Sequence, residues 1–118
     1  LGLQDIPMLT SIPGLVYLAP TTKEEYLAML DWSVEQTEHP VAIKLPGAAM
    51  VSDGKAVTKD FSQLNQYEVT RKGSKIAIIG AGTFYQLGTD AAALIEEQTG
   101  VAPTIINPLY VSGMDENF

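Results

Sequence analysis

Apolar and polar residues follow two different periods along this chain, and the first clear unit runs over residues 15–46. Residues 15–19 form a short apolar run closed by Pro20, which is typical of a buried strand. A helix is predicted next, and a second apolar strand follows over residues 41–45, closed by Pro46. A strand, a helix and a strand in this order favour a parallel sheet covered by helices.

The predicted helix begins with the spacing of a capping box. Thr22 stands three residues before Glu25, so the Thr22 hydroxyl is placed to accept from the Glu25 amide, and the Glu25 carboxylate to reach back to the Thr22 amide. His39-Pro40 is predicted to stop the helix, because a residue before proline is disfavoured in helical geometry. Four apolar side chains fall on one stripe of this helix: Tyr26, Leu27, Leu30 and Val34.

A second unit with the same pattern begins near residue 67. Strands are predicted over residues 67–70, 75–79 and 104–107, with a turn over residues 71–74 and the last two strands parallel to each other. Between them a helix is predicted from a cap at Thr83 to about Thr99, with Gly100 as a left-handed stop. Four side chains of this helix are predicted to face the sheet: Leu87, Ala91, Leu94 and Ile95.

The remaining segments carry weaker signals. Residues 1–11 lack a period and contain Pro7, which predicts an extended or looped lead-in. Residues 48–66 have the composition of an interdomain connector, with a turn at Asp53-Gly54 between short extended pieces over residues 49–52 and 55–58. We therefore predict an α/β protein made of parts of two three-layer domains, residues 1–47 and 67–118, joined by a linker over residues 48–66.

Composition narrows the classes of function. The 118 residues include 14 acidic and 7 basic side chains, a net charge of −7, so nucleic acid is not expected as a partner. No apolar run reaches the roughly 18 to 20 residues of a membrane span, and the absence of cysteine fits a cytoplasmic protein. The chain starts at Leu1 without methionine and ends just past a strand signal, so we expect it to be cut at both ends.

A glycine motif and a histidine are the first candidates for chemistry. Gly80-Ala81-Gly82 between a strand and a helix resembles the start of a dinucleotide fingerprint, but Tyr85 replaces the third glycine and Asn107 replaces the acid of the next strand. A tight turn that requires small residues is the favoured interpretation. His39 is interpreted as a solvated residue at a helix end, and no cluster has the spacing of metal ligands.

Lys44 is the strongest candidate for a binding residue. It interrupts an apolar strand near the carboxyl end, where open α/β sheets place their ligands, and a cation there can hold a substrate phosphate. The alternative, left open by the sequence, is a lysine whose head reaches water from a strand edge. Trp32, Tyr26 and Met29 are interpreted as packing residues.

The order of four segments resembles one family. The segments are IPGLVYLAP (residues 12–20), HPVAIKLP (residues 39–46), RKGSKIAIIGAGT (residues 71–83) and TIINPLYV (residues 104–111). Together they resemble the end of the pyrimidine-binding domain and the start of the C-terminal domain of transketolase-like enzymes, with 1-deoxy-D-xylulose-5-phosphate synthases as the most similar type.

This resemblance implies a longer, homodimeric enzyme that uses thiamine diphosphate and Mg²⁺ to transfer a two-carbon unit to a phosphorylated sugar. The family's cofactor and metal motifs would lie upstream of this chain, so no cofactor or metal is expected on the chain alone. Lys44 matches the family's strand cation, which is usually Arg, so a bidentate contact with phosphate is not expected here. A second family Arg is replaced by Gly47. Asp5 matches a common family Asp without an assigned role.

Two other interpretations stay open. The β subunit of a 2-oxo acid dehydrogenase shares the same pair of domains, and a small nucleotide-binding or regulatory α/β module is an alternative of another class. If the chain is part of a larger enzyme, we expect it to be inactive when isolated. We also expect exposed apolar faces that pair with other chains or segments, because each unit has too few strands to cover its sheet.

Overall fold

A computed structural model describes residues 4–47 and 49–118 of the chain. The described residues form three helices and five strands in two sheets, which confirms the predicted α/β class. In chain order the elements are α1 (Asp5–Thr10), β1 (Val16–Leu18), α2 (Lys23–Glu35), β2 (Val41–Ile43), β3 (Glu68–Arg71), β4 (Ala77–Ile79), α3 (Phe84–Thr99) and β5 (Thr104–Asn107).

The first sheet is the predicted parallel pair of β1 and β2, with Val16 opposite Val41. The far end of the chain adds to it, although the sequence did not predict this. The Ala19 amide donates to the Leu109 carbonyl and the Val111 amide to the Tyr17 carbonyl, both over 2.8 Å. Residues 109–111 therefore lie antiparallel beside β1 and join the two ends of the chain.

The second sheet has the order β3, β5, β4, with β5 in the middle. β4 and β5 are parallel, as predicted, with Ala77 opposite Thr104. β3 is antiparallel to β5 and its register shifts between Val69 and Arg71. β4 begins only at Ala77, two residues later than predicted, because Lys75 takes a positive φ of 64° that a strand does not allow.

The main core lies between the first sheet, α2 and the connector. Phe61 of the predicted linker enters it and packs against Trp32, with the ring centroids 6.2 Å apart. The predicted extended pieces over residues 49–52 and 55–58 form no strands. The buried members of this core are Val16, Leu18, Met29, Phe61, Leu109 and Tyr110.

The lead-in is a short helix, so the extended or looped segment predicted there is wrong for residues 5–10; residues 1–3 lie outside the described residues. Pro7 is compatible with α1 because it lies in the first turn, where its missing N–H would have had no helical partner. The Thr10 hydroxyl donates to the Ile6 carbonyl over 2.7 Å. α1 buries none of its residues, which explains why no apolar period marked it.

The inward faces of both long helices agree only in part with their predicted apolar stripes. On α2, Leu27, Leu30 and Val34 are exposed, whereas Met29 is buried and Trp32 packs on the core. α2 carries apolar residues on two sides, so periodicity alone could not select the inner one. On α3, Ala91 and Ile95 are half-buried as expected, but Leu87 and Leu94 are 62% and 57% exposed.

The helix ends agree only in part with their predicted caps. Thr22 caps α2 by accepting from the Glu25 amide over 3.2 Å, and Gly100 ends α3 with a φ of 70°. α2 ends at Glu35 rather than at His39-Pro40, because Gln36 is extended and its side-chain oxygen accepts from the amides of Glu38 and His39. Thr83 occupies the cap position of α3 without a side-chain hydrogen bond.

Within residues 4–47 and 49–118, no helix is both long enough and apolar enough to cross a lipid bilayer.

Candidate functional site

Lys44 directly follows β2, at the edge where the parallel strands β1 and β2 end. Its backbone is fixed there, because the Lys44 amide donates to the Leu18 carbonyl over 2.8 Å. Its side chain is 37% exposed, and its ammonium contacts Asp5 of the first helix. The structure therefore places the predicted cation at the carboxyl ends of the parallel strands, the edge where open α/β sheets generally place their ligands.

The Lys44 ammonium meets a carboxylate and a phenol. Asp5 Oδ2 lies 2.5 Å from Lys44 Nζ and accepts a hydrogen bond from the Tyr17 hydroxyl over 3.2 Å. Asp5 Oδ1 accepts from the Ile6 amide over 3.0 Å. The cluster of Asp5, Tyr17 and Lys44 thus joins α1, β1 and the end of β2.

Each member of this cluster holds a defined protonation state near neutral pH. The hydrogen bond from Lys44 lowers the pKa of Asp5, and the same contact raises the pKa of Lys44, so both groups stay charged. Burial raises the pKa of Tyr17, which therefore remains a hydrogen-bond donor to the carboxylate. The result is an ion pair with a neutral donor beside it.

Sequence reasoning had no local signal for this cluster. Asp5 and Lys44 are 39 residues apart, and Asp5 lies in the segment predicted to be extended or looped. Tyr17 was predicted only as part of an apolar strand. The cluster exists because α1 folds back over the carboxyl ends of β1 and β2, which no periodicity could indicate.

Chemically, the Lys44 ammonium keeps hydrogen-bond donors beyond its ion pair with Asp5. An ammonium has three N–H donors, and Asp5 accounts for one hydrogen bond of Lys44 among the described residues. Lys44 is a point charge, without the planar fork with which Arg grips a phosphate. Gly47, three residues on, provides no second cation, and a Cβ added there would have nothing within 4 Å.

The glycines at residues 80 and 82 serve packing. A Cβ on Gly80 would lie 2.7 Å from the Tyr85 Cα, and one on Gly82 would lie 3.5 Å from the Ala19 Cβ. Gly82 also has a φ of 54°, which a side chain would strain. These contacts support a tight turn from strand to helix, in which Gly82 brings the second unit against the first.

Glu25 and Asn107 form a second polar contact between the two units. Asn107 is 2% exposed and its side-chain amide donates to Glu25 Oε1 over 3.0 Å, while Glu25 Oε2 accepts from the Thr21 amide over 2.6 Å. The shortest hydrogen bonds of the Glu25 carboxylate are thus with Thr21, one residue before the predicted partner, Thr22. Burial raises the pKa of Glu25. Both residues line a cavity of about 670 Å³ that does not include Lys44.

No group of three or more His, Asp or Glu side chains lies close enough to hold a metal ion within residues 4–47 and 49–118. The part of the chain that the structure describes therefore does not fit a magnesium-bound thiamine diphosphate by itself.

In sequence, the chain is similar to 1-deoxy-D-xylulose-5-phosphate synthases. It is 30% identical over 115 residues to the enzyme of Clostridium beijerinckii, and the match covers 98% of this chain. It is 31% identical over 116 residues to the enzyme of Chlorobium luteolum, and 97% of this chain is covered. The chain spans 18% of the length of each relative. No protein-family model matches it.

In fold, the chain is similar to transketolases. It superposes on a Pichia stipitis transketolase in complex with sedoheptulose 7-phosphate with a TM-score of 0.75 and 19% identity, covering 96% of this chain and 17% of that one. It also superposes on a split-gene transketolase, described as an inactive β4 tetramer, with a TM-score of 0.73 and 18% identity, over 92% of this chain and 35% of that one. The sequence and the fold together confirm the predicted resemblance: this chain is similar to one segment of the transketolase-like enzymes.

Proposed function

We propose that this chain is part of a thiamine-diphosphate-dependent enzyme of the 1-deoxy-D-xylulose-5-phosphate synthase type. Such an enzyme transfers a two-carbon unit from pyruvate or a ketose to an aldose phosphate. The cofactor, when bound with Mg²⁺, supplies the carbanion chemistry from other parts of the molecule. The role of this chain is to bind and orient the phosphate end of the substrate through Lys44.

The observation that carries the proposal is the match in sequence along almost the whole chain, at about 30% identity, with Lys44 at the ligand edge of β1 and β2. The fold supports it, because similar solved transketolases hold fructose 6-phosphate, xylulose 5-phosphate or sedoheptulose 7-phosphate. All three ligands are phosphorylated sugars, the class that a cation at this edge would recognise.

The proposal also gives the chain its place in the larger enzyme. Residues 1–47 would end the pyrimidine-binding domain, residues 48–66 would link the domains, and residues 67–118 would begin the C-terminal domain of a cytoplasmic homodimer. A similar split-gene transketolase is described as inactive in its β4 form. We therefore expect the isolated 118-residue chain to transfer no two-carbon unit and to bind thiamine diphosphate no better than background.

Lys44 is tested in the full-length enzyme by steady-state kinetics. Lys44→Ala is expected to raise KM for the aldose phosphate by about 10- to 100-fold, because a hydrogen bond between charged groups contributes on that scale, and to change KM for pyruvate little. Lys44→Arg is expected to restore the lower KM, since Arg provides a cation in the same place.

Lys55→Ala is the matched control, because Lys55 is an exposed lysine of the connector paired with Asp53 over 3.6 Å. It should leave both KM values near those of the unaltered enzyme. Equal KM values for the aldose phosphate in Lys44→Ala and Lys55→Ala would contradict the role of Lys44. Calorimetry that found tight binding of thiamine diphosphate to the isolated chain would contradict the assignment of cofactor binding to other parts of the enzyme.

A further inference from the structure

The Asp5 carboxylate already contacts the Lys44 ammonium, which the proposed substrate phosphate would also contact. Asp5 Oδ2 is 2.5 Å from Lys44 Nζ, and the Tyr17 hydroxyl donates to the same oxygen over 3.2 Å. The carboxylate is therefore held on the ammonium by a donor from β1 as well as by its own charge. Lys44 faces a negative group before any substrate arrives.

The net charge of the Asp5–Lys44 pair determines the electrostatic attraction or repulsion of an incoming ligand. Asp5 and Lys44 together have no net charge, and their side chains are only 27% and 37% exposed. A phosphate in contact with Lys44 Nζ would lie within a few ångströms of the Asp5 carboxylate, well inside the screening length of about 8 Å at physiological salt. Like charges this close repel each other, so Asp5 opposes the binding of any anion to Lys44.

The element that carries Asp5 is weakly anchored to the rest of the chain. α1 has only six residues, and none of them is buried. In the part of the chain that the structure describes, the Asp5 side chain holds α1 to β1 and β2 through its contacts with Tyr17 and Lys44. The carboxylate can therefore leave the ammonium without opening a hydrophobic core.

We propose that Asp5 is an internal competitor for Lys44, which a phosphate monoester displaces and a carboxylate ligand does not. This inference rests on the proposed function of Lys44 and adds a basis for selectivity. Asp5 is tethered beside the ammonium, so its effective concentration there is far above that of a free carboxylate such as pyruvate. A phosphate carries nearly two negative charges at neutral pH and competes more strongly for the same cation.

The test is a calorimetric titration of the full-length enzyme with inorganic phosphate and, separately, with acetate at constant ionic strength. Asp5→Asn removes the charge and keeps an oxygen for the Tyr17 donor. The variant is expected to bind phosphate about 3- to 10-fold more tightly than the unaltered protein, because a partly exposed ion pair such as Asp5–Lys44 contributes on this scale. It is also expected to bind acetate measurably. Circular dichroism verifies that the variant is folded.

Asp53→Asn is the matched control, because it removes one carboxylate from the exposed Asp53–Lys55 pair and changes the net charge equally. It should bind both anions as the unaltered enzyme does. If Asp5→Asn binds phosphate equally or more weakly while Lys44→Ala abolishes binding, Lys44 is a phosphate site but Asp5 is not a competitor. If Lys44→Ala binds phosphate as tightly as the unaltered enzyme does, the proposed phosphate site fails as well.

Discussion

The two strand-helix-strand units of this chain have the same pattern in sequence, but their first strands, β1 and β4, differ greatly in burial. In the first unit, β1 is fully buried and Met29 of α2 lies in the core. In the second unit, β4 is largely exposed, with Ile79 58% accessible, and Ala92 is the buried residue of α3. An apolar pattern predicts a strand, but burial depends on what else covers it.

The cover of the first unit comes from segments that are distant in sequence. Phe61 of the connector packs on Trp32, and residues 109–111 pair with β1. β4 pairs with β5 on one side only, and no strand among the described residues pairs with its other edge. In the proposed enzyme, we expect other segments to cover β4 and the exposed leucines of α3, Leu87 and Leu94.

Truncation of matched side chains gives the largest expected contrast between the units. Leu18→Ala in β1 is expected to lower the free energy of unfolding by about 2–5 kcal/mol, because Leu18 is fully buried and a cavity would remain. Ile79→Ala in β4 should cost less than about 1 kcal/mol. Urea denaturation measures both values, and equal costs would show that β4 is covered, for example by self-association.

Glycine replacements test how tightly the second unit turns from strand to helix. Gly80→Ala is expected to cost about 1–3 kcal/mol, because its Cβ would lie 2.7 Å from the Tyr85 Cα and the backbone would have to move. Gly47→Ala in the first unit is the control, since its Cβ would meet nothing within 4 Å. Thermal unfolding should separate the two variants, and a neutral Gly80→Ala would contradict this account of the glycine turn.

The contact between the units is expected to depend on pH through Glu25. Burial raises the pKa of this carboxyl in the folded chain above its ordinary value of 4.5. The folded state therefore holds the proton more tightly, so Glu25 stabilises it at low pH. That contribution is lost as the pH rises from about 4.5 through the raised pKa.

Glu25→Gln removes this titration. Its free energy of unfolding relative to the unaltered chain should rise with pH over that window and then level off. Asp5, Glu24, Asp60 and Asp115, whose pKa values are lowered, titrate in both proteins and cancel in the difference. A difference that falls with increasing pH would show that the hydrogen bonds from Thr21 and Asn107 outweigh burial.

The smallest expected effect concerns the surface of the second unit. Arg71 on β3 forms an ion pair with Glu96 of α3, and both side chains are substantially exposed. Arg71→Ala is expected to change the free energy of unfolding by less than about 0.5 kcal/mol, because exposed ion pairs contribute little. A loss above 1 kcal/mol in urea denaturation would indicate that this pair holds α3 on the sheet.

Features with a local chemical cause could be predicted from the sequence. The Thr22 cap, the left-handed Gly100 and the parallel pairing of β4 with β5 follow from residues close together in the chain. The resemblance to transketolase-like enzymes followed from the order of several such segments and was confirmed by the comparisons.

Features created by distant contacts could not be predicted. The antiparallel segment over residues 109–111, the helix α1 and the Asp5–Lys44 pair all depend on where the chain returns in space. The prediction of the inner face of α2 was also largely wrong. This helix has apolar residues on two sides, and the side that faces the core is the one that carries Trp32, which packs on Phe61. The role of Lys44 stays a prediction, now with a defined electrostatic partner.

The most direct test of the central claim, that this chain acts as part of a larger enzyme, is the intact mass of the protein isolated from its source cells. The account predicts a polypeptide, or a stable complex of polypeptides, several times heavier than the 12.7 kDa of these 118 residues. It should bind thiamine diphosphate. A free 12.7 kDa protein without that cofactor would contradict the account and favour a small binding module.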